Sequence, residues 1–346
     1  MRRINGQDAS YGIKYWSIGN ETGWQYSPEE YAHEVRRFCF YMRQAQPDAK
    51  LIVCGDNSAD WNLRLMAALG EKVEQIDLLS LHTYAHPPPA DQDEPADTYT
   101  FLAKAAGVDA AVTRAIDAID CHAAGGKKID VIIDEWGSWH DEVTIRPGFP
   151  VGDVPNNMEP PGTMRDALYA ARVLHVLMRH AGRVAMANLA QTVNTLHCLL
   201  KTQGSSLVRT PTYHVFDMLK HHAGAQVLAV ESDTGTFEFA CNGNAGVLPK
   251  LDIAASMTPD GTRMSLSVVN PHLDREEILR LQSRGTSDDQ PSRATAWVLG
   301  ACEPLAANDF QTPLRITPRD AQVERQSNHW ALTCAPFSLT TLEFLK

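Results

Sequence analysis

Along the first two thirds of the chain, short apolar runs alternate with longer stretches whose apolar positions recur every three or four residues. GIKYWSIGNE (12–21) predicts an apolar strand that ends in polar residues. The segment 27–45 opens with a serine cap, a proline and two acids. It then repeats Tyr31, Val35, Phe38 and Met42 at helical spacing, which predicts a helix. LIVCGD (51–56) predicts a strand, ADWNLRLMAALG (59–70) a helix closed by glycine, and IDLLSLHTY (76–84) a third strand. Next come one long helix over 98–123, the β-branched strand IDVIIDEW (129–136), a helix over 164–182 and a strand over 184–193. A last helix, 211–224, runs from proline to glycine. Five β/α units of this kind predict a parallel sheet covered on both faces. From residue 225 the pattern shortens to TFEFA (236–240), MSLSVV (264–269), ATAWVL (294–299) and SLTTLEFL (338–345), separated by Gly, Asn, Asp and Pro. That predicts an antiparallel β-sandwich, so the chain divides into an α/β domain, 1–224, and an all-β domain, 225–346.

Composition narrows the function. A net charge of −11 without a basic stripe argues against nucleic acid and anionic membrane as partners and leaves neutral small molecules or sugars. No apolar run reaches the roughly 18 residues of a membrane span, and MRRINGQDAS lacks the apolar stretch of a signal peptide. A cytoplasmic protein is expected. The seven cysteines are scattered among apolar neighbours with no CxxC pair, so reduced, mostly buried thiols are expected rather than a disulfide framework or a metal site. Nothing calls for a cofactor: GxGxxG, a Walker loop and GxSxG are all absent.

Active sites of parallel α/β folds lie beyond the carboxyl ends of the strands. There the first predicted strand delivers Asn20 and Glu21, and the third His82 and Tyr84. The fourth delivers Asp134, Glu135 and Trp136, and the fifth Asn188, Gln191 and Asn194. A single acid after a strand is often only a helix cap or a surface charge. Two glutamates at the same end of one sheet, among aromatics and amides, suit sugar hydrolysis. One carboxyl protonates the departing oxygen, and the other attacks the anomeric carbon or activates water. Aromatic faces such as Trp136 pack on sugar C–H groups, and amides bind hydroxyls. The proline-rich polar segments 85–97 and 140–162 are long enough to be functional loops.

KYWSIGNETG (14–23) resembles the acid/base motif of the α-L-arabinofuranosidases of glycoside hydrolase family 51, and IDEWGSWH (133–140) resembles that family's nucleophile motif. The runs 163–204 and 210–228 are also similar to this family, and the resemblance covers nearly the whole chain, weakening in the final β region. It implies a retaining hydrolase that releases terminal α-L-arabinofuranosyl units from arabinose-containing oligo- or polysaccharides. Glu21 would be the acid/base and Glu135 the nucleophile. Asn20 would bind the sugar 2-hydroxyl, Tyr84 would steady the nucleophile, Gln191 would contact the sugar, and His82 would line the pocket. No metal or organic cofactor is implied.

The same resemblance implies a (β/α)8 TIM barrel in which the five predicted strands are strands four to eight, followed by the sandwich. The first three units have no counterpart here. An open barrel exposes strand edges, so the chain alone is expected to be unstable, to aggregate, or to pair with further copies or with a separate chain that supplies those units. Two alternatives stay open: a catalytically inactive fragment or subunit, and a retaining glycosidase of the same clan acting on another sugar, as xylosidases and endoglucanases do.

Overall fold

The computed structural model describes residues 2–88, 94–122, 127–140, 158–241, 244–282, 293–326 and 329–345. Of the two loop segments expected to be long and polar, 89–93 and 141–157 lie outside the described residues. The chain forms two compact units. The first comprises Met1–Thr83, Asp109–Glu135 and Gly182–Asn188, and the second Tyr84–Val108, Trp136–Ala181 and Leu189–Lys346.

The first unit is built on a sheet with the order β1 (Tyr15–Ile18), β2 (Lys50–Cys54), β3 (Leu78–Ala85), β4 (Asp130–Ser138) and β5 (Val184–Leu189). β1 pairs with β2, and β2 with β3, in parallel register, Ile18 facing Val53 and Val53 facing Leu79. β2, β3 and β4 are apolar and largely buried, as strands covered on both faces are. β1 instead leaves Tyr15, Trp16 and Ser17 exposed and β5 is only partly buried, so the cover expected on both faces does not extend to the outer strands. Ile52, Leu78 and Ile132 form a buried cluster with Met186 against it.

Helix α1 (Pro28–Ala45) begins where the sequence predicts. Ser27 accepts a hydrogen bond from Glu30 N–H, and the Glu30 carboxylate accepts one from Ser27 N–H. It buries Tyr31, Ala32, Val35 and Cys39 along one stripe, and α2 (Ala59–Leu69) buries Leu65, Met66 and Leu69. Tyr31 ties helix to sheet: its hydroxyl donates to the Ile18 carbonyl and accepts from Cys54 N–H at 2.9 Å. The carboxyl ends of β1 and β2 are thereby fixed by one buried side chain.

The single helix expected over 98–123 is two helices, α3 (Pro95–Ala103) and α4 (Ala105–His122). α3 starts earlier than expected because Glu94 and Asp97 form a capping box around Pro95, and it ends at Ala103 with Lys104 as its cap. β5 stops at Leu189 rather than 193.

In the second unit, α5 (Met164–Arg179) and α6 (Pro211–Leu219) are each capped by a threonine, Thr163 and Thr210, and a hairpin joins β6 (Leu200–Gln203) to β7 (Ser206–Arg209). The remaining strands are β8 (Gln226–Leu228), β9 (Thr236–Cys241), β10 (Asn244–Pro249), β11 (Asp252–Met257), β12 (Arg263–Asn270), β13 (Glu277–Leu281), β14 (Arg293–Gly300), β15 (Arg319–Ala321), β16 (Val323–Gln326), β17 (His329–Cys334) and β18 (Ser338–Leu345). Among the described residues they form antiparallel sheets, one of order β15-β14-β18-β12-β11-β8 and one of order β13-β17-β16. Leu266, Val268, Leu279, Leu332, Leu342 and Phe344 share one buried cluster.

α5 carries a buried charge network. Arg172 Nε donates to Asp252 at 3.1 Å, His175 Nδ1 lies 3.2 Å from the same carboxylate, and Arg179 reaches it at 3.3 Å. Burial opposes the Asp252 charge, but its hydrogen bond to His175 and the cations around it hold the carboxyl well below its usual range. The chain is thus a mixed α/β protein with a parallel sheet followed by antiparallel ones. Four of the cysteines, Cys39, Cys54, Cys198 and Cys334, are buried free thiols, and Cys121 and Cys302 are exposed free thiols.

Candidate active site

The first unit gathers four predicted strand-end residues. Gly19 has φ +95, and a Cβ there would lie 2.6 Å from the Thr22 methyl, so the turn after β1 requires glycine. Glu21 follows with φ 47 and ψ 43, a left-handed conformation that non-glycine residues rarely adopt. Such strain concentrates at functional sites. A short 3₁₀ turn, Thr22–Trp24, continues from it and leaves Trp24 88% exposed, a bare indole three residues from Glu21.

His82, on β3, is the hub. Its Nδ1 lies 2.9 Å from Glu21 Oε1 and 3.5 Å from Glu135 Oε2, and its Nε2 lies 3.2 Å from Asp134 Oδ1. The contact with Asp134 is an ion-pair approach rather than an aligned hydrogen bond. The His82 carbonyl accepts from Asn57 Nδ2 at 2.7 Å, and Arg114 in turn donates to the Asn57 carbonyl, which fixes this end of β3. Burial disfavours a charged ring, but Asp134, Glu21 and Glu135 outweigh it and push the His82 pKa up to about 9.

The Glu21 and Glu135 side chains remain 47% and 37% exposed, while His82 is 15% exposed, so the carboxylates face an opening over a nearly buried imidazole. One oxygen of Glu21, one of Glu135 and a ring nitrogen of His82 lie within 4.8 Å of one another. These three could hold a cation. However, Nδ1 already stands at hydrogen-bond distance from Glu21, which suits a directly bonded cluster better than a ligand set. A surface hollow of about 520 Å³ lined by Cys39, Phe40, Arg43, Gln44, Pro47, Glu74 and Gln75 includes none of these residues.

Asn20 is exposed beside Glu21. Tyr84, Trp136 and Gln191 belong to the second unit. Tyr84 is half-buried and packs edge-on against Trp139 with ring centres 5.0 Å apart. Gln191 is exposed, and its N–H donates to the Thr195 carbonyl.

Trp136 corrects an expectation. It is 0% exposed, stacked on Phe216 at 6.1 Å and edge-on to His197 at 6.5 Å, so it is a core residue and not a sugar platform. Behind it Gly137, with φ +151, leaves room for His197, whose Cβ would lie 2.7 Å from an added methyl. His197 Nδ1 accepts from Ser138 N–H at 3.0 Å, and Nε2 lies 2.9 Å from the Thr212 hydroxyl. The sequence reading did not single out His197. It named Asp134 among the residues that the fourth strand delivers but gave it no role.

A parallel-sheet scaffold that brings together a glutamate from the turn after β1 and another from the later part of β4 is the arrangement of glycosidases that work with a carboxylate pair. The sequence model of the α-L-arabinofuranosidase C-terminal domain matches residues 134–338, and that of the α-L-arabinofuranosidase 1 domain matches residues 1–104. An intracellular exo-α-L-arabinofuranosidase of Bacteroides ovatus is 30% identical over 329 residues, covering 92% of this chain and 61% of the relative. An intracellular exo-α-(1→5)-L-arabinofuranosidase of Streptomyces lividans is 27% identical over 334 residues, covering 92% and 48%. The crystal structure of the family 51 arabinofuranosidase from Xanthomonas axonopodis pv. citri superposes with a TM-score of 0.86 at 25% identity, covering 99% of this chain and 68% of that one. The chain belongs to the α-L-arabinofuranosidases of glycoside hydrolase family 51. It spans about half to three fifths of the length of these curated relatives.

Proposed function

We propose that the chain is the catalytic part of a retaining exo-α-L-arabinofuranosidase acting on arabinose-containing oligo- or polysaccharides. The observation that carries this reading is the approach of the Glu21 and Glu135 oxygens to within 4.8 Å of each other, with His82 touching both. Retaining pairs stand roughly 5–5.5 Å apart, whereas inverting pairs need roughly 6.5–9.5 Å to admit a water.

In this reading Glu135 attacks the anomeric carbon of a terminal arabinofuranosyl unit while Glu21 protonates the departing oxygen. Glu21 then takes a proton from water, which releases arabinose from Glu135. Asn20, beside the acid/base, is positioned in sequence to bind the 2-hydroxyl, and Tyr84 and Gln191 keep their proposed parts as nucleophile support and sugar contact. The fold reading that accompanies this is a partial (β/α)8 barrel, units four to eight over 1–224, followed by a β-sandwich over 225–346. The exposed side of β1, with Tyr15 and Trp16, is proposed to pair with a strand from another polypeptide or another copy. Since the Bacteroides and Streptomyces relatives are named intracellular, a cytoplasmic location is proposed as well.

A panel of nitrophenyl glycosides tests the substrate. Hydrolysis of the α-L-arabinofuranoside in preference to the xyloside and glucoside is expected, and its loss by roughly 10²- to 10⁴-fold or more in Glu135→Ala. Unchanged rates in that variant would end the assignment.

A further inference from the structure

The placement of Asp134 carries an inference that rests on the glycosidase reading above. His82 is flanked on both sides by carboxylates. Nδ1 faces Glu21 at 2.9 Å and Glu135 at 3.5 Å, and Nε2 faces Asp134 at 3.2 Å. The Asp134 oxygen involved is buried and takes no hydrogen bond from a described residue, and His82 Nε2 is the charged group it approaches. We infer that Asp134 is the positioning residue of this site, holding Nε2 so that one imidazole nitrogen is presented to both glutamates at once.

The physical reason lies in the ring. An imidazole can rotate to exchange its nitrogens with its C–H groups, and the partner of one nitrogen decides what the other nitrogen offers. The Asp134 carboxylate at Nε2 favours the ring protonated at both nitrogens and fixes its plane. Nδ1 then stays aimed at the pair of oxygens that must converge on one sugar. Without that anchor the ring is free to turn, and a displacement of about 1 Å at a reacting group costs roughly 10²-fold in rate. The charged groups facing the ring are Glu21 from the turn after β1 and Asp134 and Glu135 from β4. Together they raise the ring's pKa to about 9 against the effect of burial. Asp134 is therefore expected to act on the chemistry through His82 and not through the sugar.

Two variants test this, D134N and D134A, each measured in two ways. By NMR of isotope-labelled histidine, the His82 titration is expected to move down by about one to three pH units in both, because an opposite charge beside the ring has been removed. With nitrophenyl α-L-arabinofuranoside, kcat is expected to fall roughly 10²-fold in D134A with KM nearly unchanged. D134N should fall less, since its amide keeps the shape of the group beside Nε2, while its pH profile shifts with the His82 titration. A wild-type His82 titration in both variants overturns the proposal. So does a loss confined to KM, which would mean that Asp134 binds the sugar. If the unaltered chain hydrolyses no glycoside, the functional reading fails by itself, and the histidine titration still decides the role of Asp134. D134N, nearly isosteric, serves if D134A does not fold.

Discussion

Glu21 and its neighbours show how much of a site is set by backbone geometry before any side chain is considered. Gly19 and Glu21 both have positive φ, and the turn they make lifts a carboxylate away from the strand end and toward His82. If Glu21 supplies the proton for the leaving group, its removal should matter least where the leaving group needs no proton. Glu21→Ala is expected to retain most of its first-step rate on a dinitrophenyl arabinofuranoside and to lose roughly 10²- to 10⁴-fold on a natural linkage. Added azide should restore turnover by replacing the base-assisted water, giving an arabinosyl azide. Equal losses on both substrates, with no azide product, contradict the role. The two glutamates were legible in the sequence because each closes a predicted strand. The part of Asp134 was not, because it depends on the orientation of a histidine ring 52 residues away in the sequence, a relation that spacing does not encode. Trp136 was misread for a related reason. An aromatic beside a catalytic acid has the same sequence appearance whether it faces the sugar or the core.

At the scale of elements, the caps carry most of the information. Thr163 opens α5: its hydroxyl accepts from Asp166 N–H, and the Asp166 carboxylate accepts from Thr163 N–H at 2.8 Å and from its hydroxyl at 2.7 Å. His140 Nε2 lies 2.9 Å from the other Asp166 oxygen. Burial opposes the Asp166 charge, yet His140 and the charges near it hold the carboxyl well below its usual range. Thr163→Ala is expected to cost about 1 kcal/mol, as typical for a lost cap, read as a lower urea midpoint with an unchanged slope; an unchanged midpoint contradicts this account of the cap. α1, with its serine cap and proline start, was legible almost to the residue. The break between α3 and α4 was not, because both halves are apolar at helical spacing and the capping box at Glu94 and Asp97 precedes the segment that was read as helix. The β6–β7 hairpin also went unread: its four-residue strands lack strict alternation, and only Gly204, with φ +58, marks the turn.

At the scale of the whole molecule, the change from parallel to antiparallel sheets was visible as a change of period. The division into units was not, because β3, β4 and β5 each contribute residues to both. Titrating groups give the molecule a pH dependence whose sign can be stated. Burial lowers His197 to about 4 and His222 to about 4, so the fold holds both rings neutral while the unfolded chain takes up protons below pH 6.5. Their contribution is present above 6.5 and is lost as pH falls toward 4. His82 acts oppositely: raised from 6.5 to about 9, it stabilises the fold fully below 6.5 and progressively less up to 9. Stability to urea is expected to be greatest near pH 6.5 and to decline on both sides; a midpoint that is flat from 6.5 to 4 contradicts the neutral state in which the fold holds the two rings. The central claim, that Glu21 and Glu135 work on one sugar by double displacement, is tested most directly by trapping the intermediate. Glu21→Ala, mixed with a dinitrophenyl α-L-arabinofuranoside and quenched in acid, should gain the mass of one anhydropentose, located by peptide mapping on Glu135. No adduct while dinitrophenol is released, or an adduct on any other residue, would contradict it.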